Sequence, residues 1–230
     1  MDVSWLELTA ASVPAGDEWL SPAEAARSAA LRFAKRRADW RLGRWTAKQA
    51  VAARLNLRSP AEIEIVAAAS GAPEVFVCGE PAPVAISLSH RAGVAACAVA
   101  AAGVALGCDL EIVEPRSDAF ATDYFTAQEQ LLIAHASAAE RWRTLALLWS
   151  AKESVLKALR EGLRIDTRRV QVDLDATLPP TDGPVWRRLH AYYGAQKFDG
   201  WWGQTGDLVR TMAAVRTKAS SIDRIRLSVV

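Results

Sequence analysis

Val94-Ala-Ala-Cys97-Ala-Val-Ala-Ala-Ala-Gly103-Val-Ala-Leu-Gly107-Cys-Asp109-Leu-Glu111-Ile-Val113 is the stretch from which the fold can be read. It divides at Gly103 into two short strands, Val94 to Ala100 and Val104 to Val113. Upstream lie three more strand-like runs, Ile63 to Val66, Glu74 to Val77 and Val84 to Leu88, separated by Ser70-Gly71-Ala72-Pro73 and by the turn from Gly79 to Pro83. Short strands so spaced predict an antiparallel meander, because parallel βαβ crossovers need a dozen or more residues each. Before the meander, Ser21-Pro22-Ala23-Glu24 has the spacing of a capping box with proline in the first turn, and a helical pattern runs from it to about Asn56. Phe33, Trp40, Ala47 and Val51 form its apolar stripe, Arg37, Arg41, Arg44 and Lys48 a basic one, and Gly43 marks a break or a close contact. After the meander, Thr126-Ala127-Gln128-Glu129 opens a second helical block, interrupted near Ala136 to Glu140, which runs through Trp142 to Leu159 and ends at Gly162. Strands follow at Val170 to Leu174, Leu189 to Tyr193 and Val209 to Val215, with irregular chain around Pro179-Pro180 and from Lys197 to Gly206. This order predicts an α+β fold of two similar halves, residues 1–105 and 106–230, in a pseudo-twofold arrangement. Each half is a long helix packed on an antiparallel sheet, and the repeat is one of architecture without obvious sequence repetition.

With 230 residues, 51% hydrophobic and 23% charged, the chain has the composition of a folded domain, which excludes disordered and collagen-like classes. Cys78, Cys97 and Cys108 are odd in number, lack metal-site spacing and lie in apolar stretches, so a reducing cytoplasm is the expected setting. No basic segment followed by an apolar core opens the chain, and no apolar run reaches 18 residues, so no membrane association is expected. The net charge of +2 hides an asymmetry: the window from Arg27 to Arg58 has ten basic residues and one acid, +9, leaving −7 for the rest. An anionic ligand or partner is expected at that helix.

Chemistry concentrates in three segments. In Gly107-Cys108-Asp109-Leu110-Glu111, strand alternation puts Asp109 and Glu111 side by side, where they repel unless a cation lies between them. Gly107, on the same face, leaves room beside them, and the hard-oxygen set suits Mg²⁺ or Mn²⁺. In Trp149-Ser150-Ala151-Lys152-Glu153-Ser154-Val155-Leu156-Lys157, Lys152 falls where the buried stripe expects an apolar residue, and Glu153 borders that stripe. Charges placed there need partners. In Ser87-Leu88-Ser89-His90-Arg91-Ala92-Gly93 a strand ends in a small polar turn whose groups can hold phosphate oxygens. No catalytic triad, P-loop or dinucleotide fingerprint is present.

Ser89-His90, then Gly107-x-Asp109-x-Glu111, then Trp149-Ser-x-Lys152-Glu153-Ser-x-x-Lys157, in that order, resemble the motifs of the 4'-phosphopantetheinyl transferases, specifically the larger surfactin-synthetase-activating type. The resemblance extends to Gly71-Ala72-Pro73, where many members have Gly-Lys-Pro, and to Gly43-Arg44 and Gly162-Leu163. It implies transfer of the phosphopantetheine arm of coenzyme A to a serine of an acidic acyl or peptidyl carrier protein, releasing adenosine 3',5'-bisphosphate, by a monomeric enzyme. It further implies Mg²⁺, or Mn²⁺, on Asp109, Glu111 and Glu153. Glu153, Lys157 and His90 would be catalytic. Arg27, Arg41, Arg44, Gly71, Pro73, Ser89, His90, Lys152 and Lys157 would bind coenzyme A.

Two other classes compete. A nucleic-acid binder would use the Arg-rich helix, but the rest of the chain is acidic and no RNA-binding motif is present, so no nucleic-acid partner is expected. A protein that binds coenzyme A or carriers without transfer would not need Asp109, Glu111, Lys152, Glu153 and Lys157 all intact.

Overall fold

The computed structural model describes residues 2–174, 186–216 and 226–229, so Pro179-Pro180 lies outside the described residues. The fold is α+β, and its residues group into two compact units, 1–105 with 216–230 and 106–215.

The first unit starts with β1 (Asp2–Thr9), a strand that the sequence pattern did not announce. Val3, Ser4 and Trp5 are buried in succession, which masks the period of two. Ser21 caps α1 (Pro22–Ala29) in a complete capping box with Glu24. The expected single long helix is broken not at Gly43 but between Ala29 and Ala34, after which α2 (Ala34–Leu55) runs unbroken through Gly43. A Cβ at Gly43 would meet nothing within 4 Å, so neither a break nor a close contact explains this glycine. Asn56, with φ of 55°, ends α2 in the left-handed conformation that Asn tolerates.

The expected single meander is divided. β2 (Ile63–Ala67), β3 (Pro73–Val77) and β4 (Glu80–Pro81) make a small antiparallel sheet. β5 (Val84–Arg91) and β6 (Val94–Ala101) form a hairpin, and β1 pairs antiparallel with the other edge of β6. β7 (Val104–Ile112) joins a different sheet. At the end of the chain, β12 (Arg226–Val229) pairs with β1 in parallel, so this first sheet is mixed, in the order β12-β1-β6-β5. Ala47, Ala50 and Val51 of α2 pack on Ile63, Ile86, Cys97 and Val99 to form the core. Cys97 and Cys108 are buried, whereas Cys78 is exposed in the β3–β4 turn with φ of 52°.

In the second unit, α3 (Asp118–Tyr124), α4 (Ala127–His135) and α5 (Arg141–Ala158) follow β7. Thr126 and Glu129 complete the second capping box at α4, and the helical block is interrupted where expected. β8 (Val170–Leu174), β9 (Arg187–Tyr193), β10 (Gln196–Thr205) and β11 (Leu208–Arg216) complete a five-stranded sheet in the order β7-β11-β10-β9-β8. The stretch expected to be irregular from Lys197 is therefore strand. Its Trp201-Trp202 and two glycines obscure the alternation, although Phe198 and Trp201 are buried. α5 lies on β8, β9 and β10, with Ala146 and Leu147 against Val209. No helix among the described residues is long and apolar enough to cross a membrane.

Candidate active site

Gly107 decides how closely α5 approaches β7. A Cβ there would overlap the Ser154 carbonyl oxygen and lie 2.7 Å from the Ala158 nitrogen, so only glycine admits the helix backbone. The room beside the carboxylates that the sequence suggested is thus filled by α5. This approach brings Lys157 onto the acidic strand: its ammonium donates to Asp109 Oδ1 at 2.8 Å and to the Cys108 carbonyl at 2.9 Å. Asp109 and Glu111 are buried, 7% and 9% exposed.

Burial raises the Glu153 pKa above the ordinary carboxylate range, and the charges of Asp109 and Glu111 push it the same way against the pull of Lys157. Burial works against the Lys157 ammonium, but its carboxylate neighbours, Asp109 foremost, outweigh it and hold that pKa above the ordinary lysine value. Among the described residues, no group of three or more His, Cys, Asp or Glu side chains is arranged to hold a metal ion as the side chains stand. Lys157 is on Asp109, and Arg116 donates to Glu111 Oε1 at 3.3 Å. The donor set still suits a hard divalent cation, since Asp109 and Glu111 lie close enough to Glu153 for their charges to raise its proton affinity.

Lys152 is placed differently from the phosphate contact expected of it. It is fully buried, 2.8 Å from Glu129 Oε2, and donates to the Thr167 carbonyl at 2.9 Å and the Val170 carbonyl. Glu129 in turn accepts from the N–H of Thr126 and of Val172. The ammonium is spent on tying α5 to α4 and β8, and burial lowers its pKa against the pull of Glu129.

The first unit repeats this device. Lys48 lies 2.6 Å from Glu24 Oε2 and donates to the Trp19 carbonyl, while Glu24 accepts from the N–H of Ser21 and of Ile65. The aromatic residue before each capping box also recurs: Lys48 sits 5.8 Å from the Trp19 ring and Lys152 5.7 Å from Phe125. Both capping boxes are legible in the sequence, but the repeat is not, because Lys48 reads as one of a basic stripe and Lys152 as part of the third motif.

α2 and β5 of the first unit enclose a cavity of about 600 Å³. Phe33, Lys35, Arg36, Trp40 and Arg44 line one side, Leu88, Ser89 and His90 the other. Ser89 and His90 belong to β5 and pair with Ala96 and Ala95, so they stand on a rigid strand and not in the turn expected for them. That turn is Ala92-Gly93, with φ of 50° and 77°. A smaller adjoining cavity of about 240 Å³ is lined by Arg27, Arg32, Phe33 and Arg36. Phe33, expected on the apolar stripe with Trp40, is 73% exposed. The helix start at Ala34 leaves Phe33 outside the stripe.

The expected basic donors divide accordingly. Arg41 is engaged by Asp17 and by the carbonyls of Pro14 and Gly16, so its guanidinium holds the segment before α1. Arg44 donates to the Ile65 carbonyl at 2.6 Å and lies over the Trp40 ring, with one side on the large cavity. Gly71 lies in the β2–β3 turn and Pro73 opens β3; neither lines either cavity.

The family model of the 4'-phosphopantetheinyl transferase superfamily matches residues 105–202. That stretch contains Gly107, Asp109, Glu111, Glu153 and Lys157. Among solved structures, a Helicobacter pylori holo-[acyl-carrier-protein] synthase in complex with coenzyme A aligns over 44% of this chain and 99% of its own, at 18% identity and a TM-score of 0.35. No curated protein matches the chain.

Proposed function

We propose that this chain transfers the 4'-phosphopantetheine arm of coenzyme A to a serine hydroxyl of an apo acyl or peptidyl carrier protein and releases adenosine 3',5'-bisphosphate. One observation carries the reading: within the segment matched by the superfamily model, a buried Asp109 and Glu111 face Glu153 and Lys157 across a contact that only Gly107 permits. The serine oxygen forms a bond to the pantetheine-side phosphorus as the bridging P–O bond breaks, and the serine proton goes to a base. Glu153, whose proton affinity burial and the adjacent carboxylates raise, is that base, directly or through water. Lys157 neutralises charge at the pyrophosphate. Asp109, Glu111 and Glu153 would hold Mg²⁺ or Mn²⁺, which supplies Lewis-acid stabilisation of the pyrophosphate when bound.

The cavity of the first unit has the chemistry of a nucleotide site. Trp40 and Phe33 offer flat apolar surface for a purine, and Arg36, Lys35 and His90 line the same cavity for the 3'-phosphate, with Arg27 beside it. The exposed positive start of α2 would steer an acidic carrier. The Glu–Lys device repeated in both units supports the larger, surfactin-synthetase-activating type, in which one chain supplies both halves and works as a monomer in the cytoplasm. Chromatographic detection of adenosine 3',5'-bisphosphate tests the reading: release should require coenzyme A, apo carrier and divalent cation together. Release that ignores the carrier would indicate hydrolysis and overturn it.

A further inference from the structure

Arg116 stands just past β7, and its guanidinium is shared between two carboxylates. It lies 3.3 Å from Glu111 Oε1 and 2.8 Å from Glu114 Oε1. The Phe120 ring backs it at 5.4 Å. Of the two acids, Glu111 is the buried one, with its side chain 12% exposed against 42% for Glu114. A buried carboxylate beside Asp109 needs a counter-charge, and Lys157 is on Asp109. Arg116 gives Glu111 one.

We infer that Arg116 is a resident counter-cation of Glu111, a positioning residue that yields this carboxylate to an incoming divalent cation and remains held by Glu114 and Phe120. The inference rests on the proposed role of Asp109, Glu111 and Glu153 as cation ligands. Two physical consequences follow. While the cation is absent, Arg116 keeps the acidic strand folded against its own repulsion. When the cation arrives it must compete with the guanidinium, so Arg116 lowers the site's affinity, and the closer acceptor Glu114 limits the cost of release.

Mn²⁺ titration followed by electron paramagnetic resonance tests this without turnover. Arg116→Gln should bind Mn²⁺ about fivefold more tightly than the parent protein, the effect of removing one partly buried competing ion pair. Arg164→Gln, the same charge change at a residue paired with Glu161, should leave the affinity unaltered. Unchanged or weaker binding by Arg116→Gln, or equal tightening in both variants, would overturn the role of Arg116 while leaving the cation site standing. If Asp109→Asn binds Mn²⁺ as the parent does, the cation site itself is misassigned and the inference falls with it.

Discussion

The Lys152 ammonium lies 2.8 Å from Glu129 Oε2 with both side chains out of solvent, and Lys48 holds the same relation to Glu24 at 2.6 Å. In each unit the pair joins the capped start of a short helix, the middle of a long helix and a backbone N–H of the strand after it. Glu153 follows Lys152 directly on α5, so the ion pair sets the height at which the reactive face of that helix meets β7.

Lys152→Met alone leaves Glu129 buried with an uncompensated charge and should cost about 3 to 5 kcal/mol in urea unfolding. Adding Glu129→Gln removes that charge while keeping an acceptor for the Val172 N–H, and should recover most of the loss. Transfer by the folded double variant should then persist. A stable but inactive double variant would return Lys152 to the phosphate.

Gly107→Ala should destabilise the protein by about 3 kcal/mol, the scale of a forced overlap in a packed interior. Because the displaced element is α5, activity should fall even where the variant remains folded. A melting temperature equal to that of the parent would show that the helix does not approach β7 this closely.

Glu153 should make stability depend on pH in a specific direction. Its pKa is raised on folding, so its contribution is fully present below the ordinary carboxylate pKa and is lost as pH rises through the raised value. Without divalent cation, Glu153→Gln should therefore be more stable than the parent at about pH 8 and not at about pH 4. Equal unfolding midpoints at both values would contradict the crowding of carboxylates around it.

Arg36→Glu and His90→Ala should each weaken coenzyme A binding, measured calorimetrically, by about tenfold, as expected for loss of a charge-assisted phosphate contact. Neither should weaken dephospho-coenzyme A, which lacks the 3'-phosphate, to that extent. Equal losses for both ligands would move the 3'-phosphate elsewhere.

The α+β class and both capping boxes were legible because they are local: a capped helix start and a short strand bounded by glycine or proline need no tertiary information. So was the acidic pair, whose repulsion on one strand face calls for a positive partner, supplied in the structure by Lys157 on Asp109 and Arg116 on Glu111. What could not be read was how strands from distant parts of the chain associate. β1 enters beside β6, β12 joins it in parallel, and β7 leaves its sequence neighbours for β11. The basic stripe of α2 reads as four equivalent donors, yet their surroundings separate them: Lys48 is fully enclosed, Arg37, Arg41 and Arg44 are tied to carbonyls, and Arg36, off the stripe, lines both cavities.

Intact-protein mass spectrometry of an apo carrier incubated with this chain, coenzyme A and Mg²⁺ tests the central claim most directly. The account predicts a gain of about 340 Da on the carrier serine, the mass of the arm moved in phosphoryl transfer, and its loss in EDTA. An unmodified mass for several unrelated carriers, under conditions in which coenzyme A still binds, would contradict it.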